Sequence, residues 1–452
     1  MQTAGWWKVA GLSVAFAVAY GTISVVRHGQ FGSNYDLAIF DQAIWHASRF
    51  ESPGSTVSGF SNILGDHFYP IVLTLAPLYW IAPHAETLLV AQAVLLAASI
   101  VPVYLFLRAR LDDRHALFLS AAYGSFWGLQ RTALSDFHEL AFAPLLIALA
   151  MLALDRQRWG WVWILTALLC LVKEDVILVG VGLAMYLVTR GQPRRAWWLG
   201  AASVATFVAV VLIAIPSQND AGGWGYGQSA STLLAAPWRI PLRLVTPVAK
   251  LHTIALWLAP FAFLPALSPV IIVAIPVAVT RLLSATPNHW GYGGHYTAPL
   301  APLLAMAAAD ALGRLQARWP PRTRNRWTAG LIAFSVCSSM VLPGHQPLLR
   351  LVRASTYGAI PTQEAAREAL ALIPPEASVT AQGAIAPHLT HRREVFLLET
   401  PRDADFVITS RQLTPWPVAS LDDLERVLMA YRERGYRTAY ARDGWTVLTR
   451  GR

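Results

Sequence analysis

The residues able to do chemistry in this chain are few and grouped. They are Asp36 and Asp41, Asp66-His67, Asp136-Phe137-His138-Glu139, Lys173-Glu174-Asp175 and His295-Tyr296. Carboxylates beside imidazoles suit general acid–base work or metal ligation, and a lysine among them adds a point charge suited to phosphate. The chain has only three lysines, Lys8, Lys173 and Lys250, so an ammonium is placed sparingly.

Each group has a plainer reading beside the chemical one. From Leu37 to Trp45 apolar residues recur at near-helical spacing, which predicts an amphipathic helix on a membrane surface with Asp36 at its N-cap. Capping alone would account for Asp36, but an acid just after a first span also stands at the water–lipid boundary. Asp66-His67 can bind a metal, orient an imidazole, contact a phosphate or simply start a helix. Asp136 or Ser135 can cap the span that follows, whereas His138 is poorly placed at a positive helix end and calls for a partner. Lys173-Glu174-Asp175 interrupts two apolar runs of about fourteen residues each, so the trio is drawn toward membrane depth, where such residues pair internally or line a cavity. A self-neutralised Lys173–Glu174 pair is the plain reading there. Two glycine-aromatic loops, Gly222 to Gly227 and Asn288 to Tyr296, fit an interfacial aromatic belt or a sugar face.

The elements that position these groups follow from hydropathy. Of 452 residues, 55% are hydrophobic and 14% charged, and apolar runs of spanning length recur, which makes a polytopic membrane protein. The net charge of +10 comes from arginines in short connections, so it speaks for helix orientation and against nucleic acid as a partner. Spans are expected near 6–26, 85–107, 115–131, 138–154, 159–172, 176–189, 196–215, 251–266, 268–284, 297–312 and 327–343, about eleven crossings. Arg108, Arg110 and Arg114, then Arg156 and Arg158, then Arg190, Arg194 and Arg195, and then Arg314 to Arg326 fall on every second connection. These connections are expected in the cytoplasm with the N-terminus, and the acid- and histidine-bearing ones outside. The parity holds only if 68–83 does not cross. Pro70, Pro77 and Pro83 disfavour a spanning helix there, so a re-entrant or interfacial helix is expected. The first run, Trp6 to Val26, reads as a retained signal anchor. Cys170 and Cys337, both in apolar runs, provide no disulfide framework.

The expected organisation is an all-α transmembrane domain over 1–345, with a large first outer loop at 27–68, followed by a small soluble α/β domain over 346–452 on the outer side. In that tail, helical patterns at 361–373 and 420–434 alternate with β-like runs at 378–380, 395–398, 406–409, 437–442 and 445–449. No GxGxxG fingerprint occurs in it.

At Tyr35 to Gln42, Leu64 to Pro70, Ser135 to Glu139, Val172 to Asp175 and Gly294 to Tyr296, the chain resembles the DUF2079 family of predicted membrane proteins. The resemblance runs from about residue 30 to 345 with the motifs in order. That family is similar to the GT-C glycosyltransferases, among them the protein O-mannosyltransferases and the lipid A aminoarabinose transferases. The resemblance implies a polyprenyl-phosphate sugar donor, membrane-surface helices in the first outer loop, and a catalytic acid after the first span. It places Asp36, with Asp41 and Asp66, in the catalytic set, Asp36 acting as general base. His67, Asp136, His138, Glu139, Lys173, Glu174, Asp175, His295 and Tyr296 form the donor-phosphate and substrate set. Where some relatives carry an Asp-Glu pair, this chain has Asp36-Leu37. No cofactor is assigned, and a divalent metal on Asp66, His67, Asp136 and His138 stays open. The implied partners are the lipid-linked donor, membrane lipids and a glycan, lipid or protein acceptor. The implied location is the cytoplasmic membrane of a prokaryote, with chemistry in the cell envelope. A transporter with an outward polar cavity and a non-catalytic protein of the same fold are the competing readings. The transporter predicts polar residues through both membrane halves and inverted repeats, and no repeat is visible in the sequence.

Overall fold

A computed structural model describes residues 6–219, 235–344 and 346–450, and helices stand at each of the eleven expected positions. Trp6–Gly29, Glu86–Arg108, Pro193–Gln218 and Pro287–Arg318 are long and apolar enough to cross a membrane. A fifth arises if the bent pair Pro237–Val245 and Ala249–Phe261 counts as one span. The shorter apolar helices include Trp159–Cys170 and Leu178–Thr189, cut short on either side of the Lys173-Glu174-Asp175 turn. Backbone outside a helix is tolerated at membrane depth only where protein or a polar cavity surrounds it. Pro70–Trp80 is a 3-10 helix of 11 residues with Pro77 inside, too short to span at about 2 Å per residue.

The chain forms two compact units. One comprises Met1–Ile23, Leu64–Val72 and Val90–Val352, and the other Ser24–Ile63, Leu73–Leu89 and Arg353–Arg452. The first is helical. Its surface carries Trp197, Trp198, Leu212 and Ile213, each at least 60% exposed, as lipid-facing positions require. Arg110 ties several helix ends together, through Asp155 at 2.6 Å and Asp310 at 3.3 Å, while Asp310 also accepts from Ser268 at 2.7 Å. Asp112 caps the helix Asp113–Gly124 by accepting from the His115 backbone N–H. The acids among the arginine-bearing connections are thus spent on caps and ion pairs.

The second unit is built on a five-stranded sheet, β1 (Val379–Ala381), β2 (Val395–Leu397), β3 (Phe406–Ser410), β4 (Tyr436–Arg442) and β5 (Trp445–Arg450), in the order β2-β1-β3-β5-β4. β1 runs parallel to β2 and β3, and the β3/β5 and β4/β5 pairs are antiparallel. Alternation along the strands divides the core. Val407 and Leu448 pack with Leu424, Leu428 and Tyr431 of the helix Leu421–Glu433, and Ile408 and Val447 face a second layer with Ala365, Ala366 and Ala369. That second layer also holds Phe31, Ala38 and Val57, so the unit containing the sheet is larger than 346–452.

This corrects two expectations for the first outer loop. The amphipathic helix extends over Tyr35–Ser48, its N-cap is Asn34, and Asp36 lies in the first turn. Its apolar side, with Leu37, Ala38, Phe40 and Ile44 buried, is covered by protein rather than laid bare for lipid. A 3.6-residue period reports that one face is apolar, and any apolar surface satisfies it.

Candidate active site

The chemistry of the first unit gathers around the non-helical turn 171–177. Lys173, Glu174 and Asp175 are neighbours in sequence, and each takes a different partner. Lys173 Nζ donates to Glu139 Oε1 at 2.9 Å. Glu174 Oε1 lies 2.6 Å from His67 Nδ1 and its Oε2 accepts from the Phe68 backbone N–H at 3.1 Å. Asp175 Oδ2 lies 2.9 Å from Arg281 Nη2. The self-neutralised Lys173–Glu174 pair is therefore replaced by three ion pairs to three separate segments, because adjacent side chains on a turn diverge. Burial raises the Glu174 carboxyl, but His67 beside it and Lys173 next to it outweigh that and hold the group below the usual carboxylate range.

The cluster closes on itself. His138, next to Glu139, stacks on His295 with ring centroids 3.4 Å apart, which supplies the partner its misplaced position demanded. Tyr296, next to His295, carries the Arg281 guanidinium 5.2 Å from its ring centre, and Arg281 returns to Asp175. Glu139, Lys173, Glu174, Arg281, His138 and His295 are all buried. Each buried ion costs several kcal/mol to desolvate, and the pairing of Lys173, Glu174 and Arg281 with their partners offsets that cost.

Two supports were not singled out from sequence. Gln92, fully buried in the helix Glu86–Ala98, accepts from the His138 backbone N–H at 3.0 Å and donates to the carbonyls of Thr132 and Asp136 at 3.0 and 3.3 Å. It fixes the turn that presents Asp136, His138 and Glu139. Arg281 was read as part of a span. An arginine inside an apolar run was the available signal.

The segment 64–72 brings Asp66 and His67 to this cluster. Ile71 N–H donates to Leu171 O at 3.0 Å, and Asn219 Nδ2 donates to Gly65 O at 3.0 Å. A Cβ on Gly65 would stand 2.3 Å from the Gln218 carbonyl oxygen, so only glycine permits this approach. Gly65→Ala is expected to destabilise the protein by about 1–3 kcal/mol and to loosen His67, seen as a lower thermal midpoint in detergent. An unchanged midpoint would show that the close approach is dispensable.

Asp66 is half-buried and Asp136 buried. Among the described residues, no three His, Cys, Asp or Glu side chains come together so as to hold a metal ion, and His67, one of the expected ligands, is engaged by Glu174. Asp36 and Asp41 belong to the second unit. Asp36 is half-buried. Asp41 is wholly buried, accepts from Tyr79 and Thr390, and lies 3.1 Å from His391 Nε2. Its Oδ1 is taken by Tyr79 and its Oδ2 by Thr390 and His391, so both oxygens are spent on packing helix Tyr35–Ser48 within the second unit. The Gly222 to Gly227 loop lies outside the described residues.

Comparison with known proteins places this arrangement. The family described as "Predicted membrane protein (DUF2079)" matches residues 27–447. None of the curated proteins compared with the chain matches it. Among solved structures, the fold is similar to that of ArnT from Cupriavidus metallidurans bound to undecaprenyl phosphate, with a TM-score of 0.54 and 12% identity over 100% of this chain and 99% of that one.

Proposed function

The chain belongs to the DUF2079 family of predicted membrane proteins, and we propose that it is a GT-C-type glycosyltransferase that moves a sugar from a polyprenyl-phosphate carrier to an acceptor at the outer face of the membrane. The observation that carries this reading is the closed cluster of Lys173, His67 and Arg281, each paired to one acid, in a helical unit of an ArnT-like fold. The bound lipid of ArnT supports a polyprenyl phosphate as the partner here.

In this reading Asp36 takes the proton of the acceptor hydroxyl or amine as it attacks the anomeric carbon, with inversion. The bond to the phosphate oxygen breaks as the new glycosidic bond forms, and negative charge grows on the leaving phosphate. Lys173, His67 and Arg281 are oriented in advance by Glu139, Glu174 and Asp175, so they oppose that charge without reorganising. The stacked His138 and His295 and the Tyr296 ring, against which Arg281 lies, complete the cluster. In this reading the N-terminus lies inside and the acid- and histidine-bearing turns of the first unit face the outer side.

The test is a profile of lipid-linked sugars in a strain lacking the gene. A polyprenyl-phosphate sugar is expected to accumulate and to disappear on complementation, and its mass identifies the sugar. A profile identical to that of the parent strain, with the protein shown to be expressed there, would count against the proposal.

A further inference from the structure

Two neighbouring connections of the helical unit carry positive charge that no acid answers. One joins helix Phe142–Asp155 to Trp159–Cys170, and the other joins Leu178–Thr189 to Pro193–Ala209. Together they hold Arg156, Arg158, Arg190, Arg194 and Arg195, and among the described residues no carboxylate lies within ion-pair distance of any of the five. The one acid beside them, Asp155, is already neutralised, accepting from Arg110 Nη2 at 2.6 Å and Nη1 at 3.3 Å. Neither helix that begins here has an acid in its first turn.

Basic residues in such connections orient helices, but orientation alone does not ask that they be held in place. Here two of them are. The connections meet at a narrow pocket of about 30 Å³, room for about two water-sized groups. Arg190 lines it, with Nη1 donating to Tyr186 Oη at 2.9 Å. Arg195 lies 3.9 Å from the centre of the Trp159 ring, and its Nη1 donates to Gln192 Oε1 at 2.9 Å. Tyr186, Trp159 and Gln192 all line the same pocket. Rings and neutral oxygens fix a guanidinium without cancelling its charge.

The backbone adds a separate sign. Gln157 and Gly191 take equivalent places after their helices, each with its own N–H and the next one bonded back to the last turn, and with φ of 55° and 69°. Glycine is the usual occupant of this left-handed position. Gln157 instead keeps a side chain there, and that side chain lines the pocket. Trp161, Trp197 and Trp198, all largely exposed, stand within three residues of Arg158 or Arg195. Exposed tryptophans at the ends of apolar helices mark the headgroup level of a bilayer.

We propose that this pocket seats the phosphate of an anionic phospholipid from the adjoining leaflet. Arg190 and Arg195 are the charge partners, and the Gln157 amide donates a further hydrogen bond. Guanidiniums suit phosphate oxygens, and basic pockets between membrane helices take anionic headgroups. Space for two oxygens admits the headgroup while the acyl chains stay in the bilayer. The proposal is independent of the transferase reading, because binding is measured without sugar transfer.

The experiment is native mass spectrometry of the full-length, delipidated protein in detergent, titrated with dioleoylphosphatidylglycerol, with dioleoylphosphatidylcholine and with inorganic phosphate. Saturable binding of the phosphatidylglycerol, tighter than that of the other two, is expected. Arg190→Gln together with Arg195→Gln should weaken it at least about tenfold, as loss of charged hydrogen bonds implies. Arg322→Gln together with Arg326→Gln removes the same charge from another arginine-bearing connection and should leave it unchanged. If the first pair fails to fold, Gln157→Gly decides. It relieves the left-handed residue, so the protein keeps its fold, and a fall of about threefold is expected for a neutral hydrogen bond. No saturable binding of phosphatidylglycerol, equal binding of phosphatidylcholine or of inorganic phosphate, equal weakening by the two arginine pairs, or an affinity unmoved in a folded Arg190→Gln, Arg195→Gln protein would overturn the assignment.

Discussion

Asp36→Asn is expected to reduce sugar transfer by about 10²–10⁴-fold, the usual contribution of a general base, while the protein still inserts and folds. Asparagine matches the shape of aspartate and retains an acceptor oxygen, but it cannot take a proton at neutral pH. Asp36 lies in the first turn of Tyr35–Ser48, so the change also removes a favourable charge–dipole contact of about 0.3–1 kcal/mol, too little to unfold the unit. The measurement is transfer of labelled sugar from endogenous lipid carriers in membrane vesicles of the deletion strain, complemented with either form. Equal transfer by the two forms, at equal protein levels, removes Asp36 as the base. Asp41→Asn distinguishes the two acids. Asp41 serves Tyr79, Thr390 and His391 inside the second unit, so its loss should appear first as lowered stability.

Lys173→Met is expected to cost about 3–5 kcal/mol of stability, the usual penalty for leaving one member of a buried ion pair alone. Glu139 is 1% exposed and its Oε1 is held by Lys173 at 2.9 Å, so the substitution leaves a buried carboxylate without its lysine. The double change Lys173→Met with Glu139→Gln should restore much of the lost stability, because the orphaned charge is gone, yet it should not restore transfer. Midpoints of unfolding in mixed detergent give the first quantity and the vesicle assay the second. A single variant as stable as the parent would show that Glu139 finds another partner. Transfer by the double variant at the parent rate would remove Lys173 from the phosphate-binding set.

These two residues also mark how far the sequence could be read. Hydropathy placed helices at the expected positions because a helix of apolar residues needs nothing outside itself to be recognised, although only four or five of the described helices are long and apolar enough to cross a membrane. Pattern placed the sheet for the same reason, with β1 to β5 falling on the expected runs. Position between spans marked Lys173, Glu174 and Asp175 as costly, since the expense of burying charge is a property of the residue and its neighbours in sequence. Partner choice was not legible. Lys173 to Glu139, Glu174 to His67 and Asp175 to Arg281 join segments 34, 107 and 106 residues apart, and any of several acids had the right chemistry. Arg281 and Gln92 were passed over because each looks like a tolerated polar residue within an apolar run.

The sequence by itself determined that this is a helical membrane protein with its chemistry in a few acid- and histidine-bearing turns, because lipid fixes helix length and penalises every misplaced charge locally. Only the tertiary structure decided that the turns at 66–67, 136–139, 173–175 and 295–296 meet in one closed cluster, that Asp41 is consumed by packing, and that Phe31, Ala38 and Val57 complete the core beneath a sheet more than three hundred residues later. Such contacts depend on which surfaces fit together, and fit is a relation between distant segments that no local pattern records.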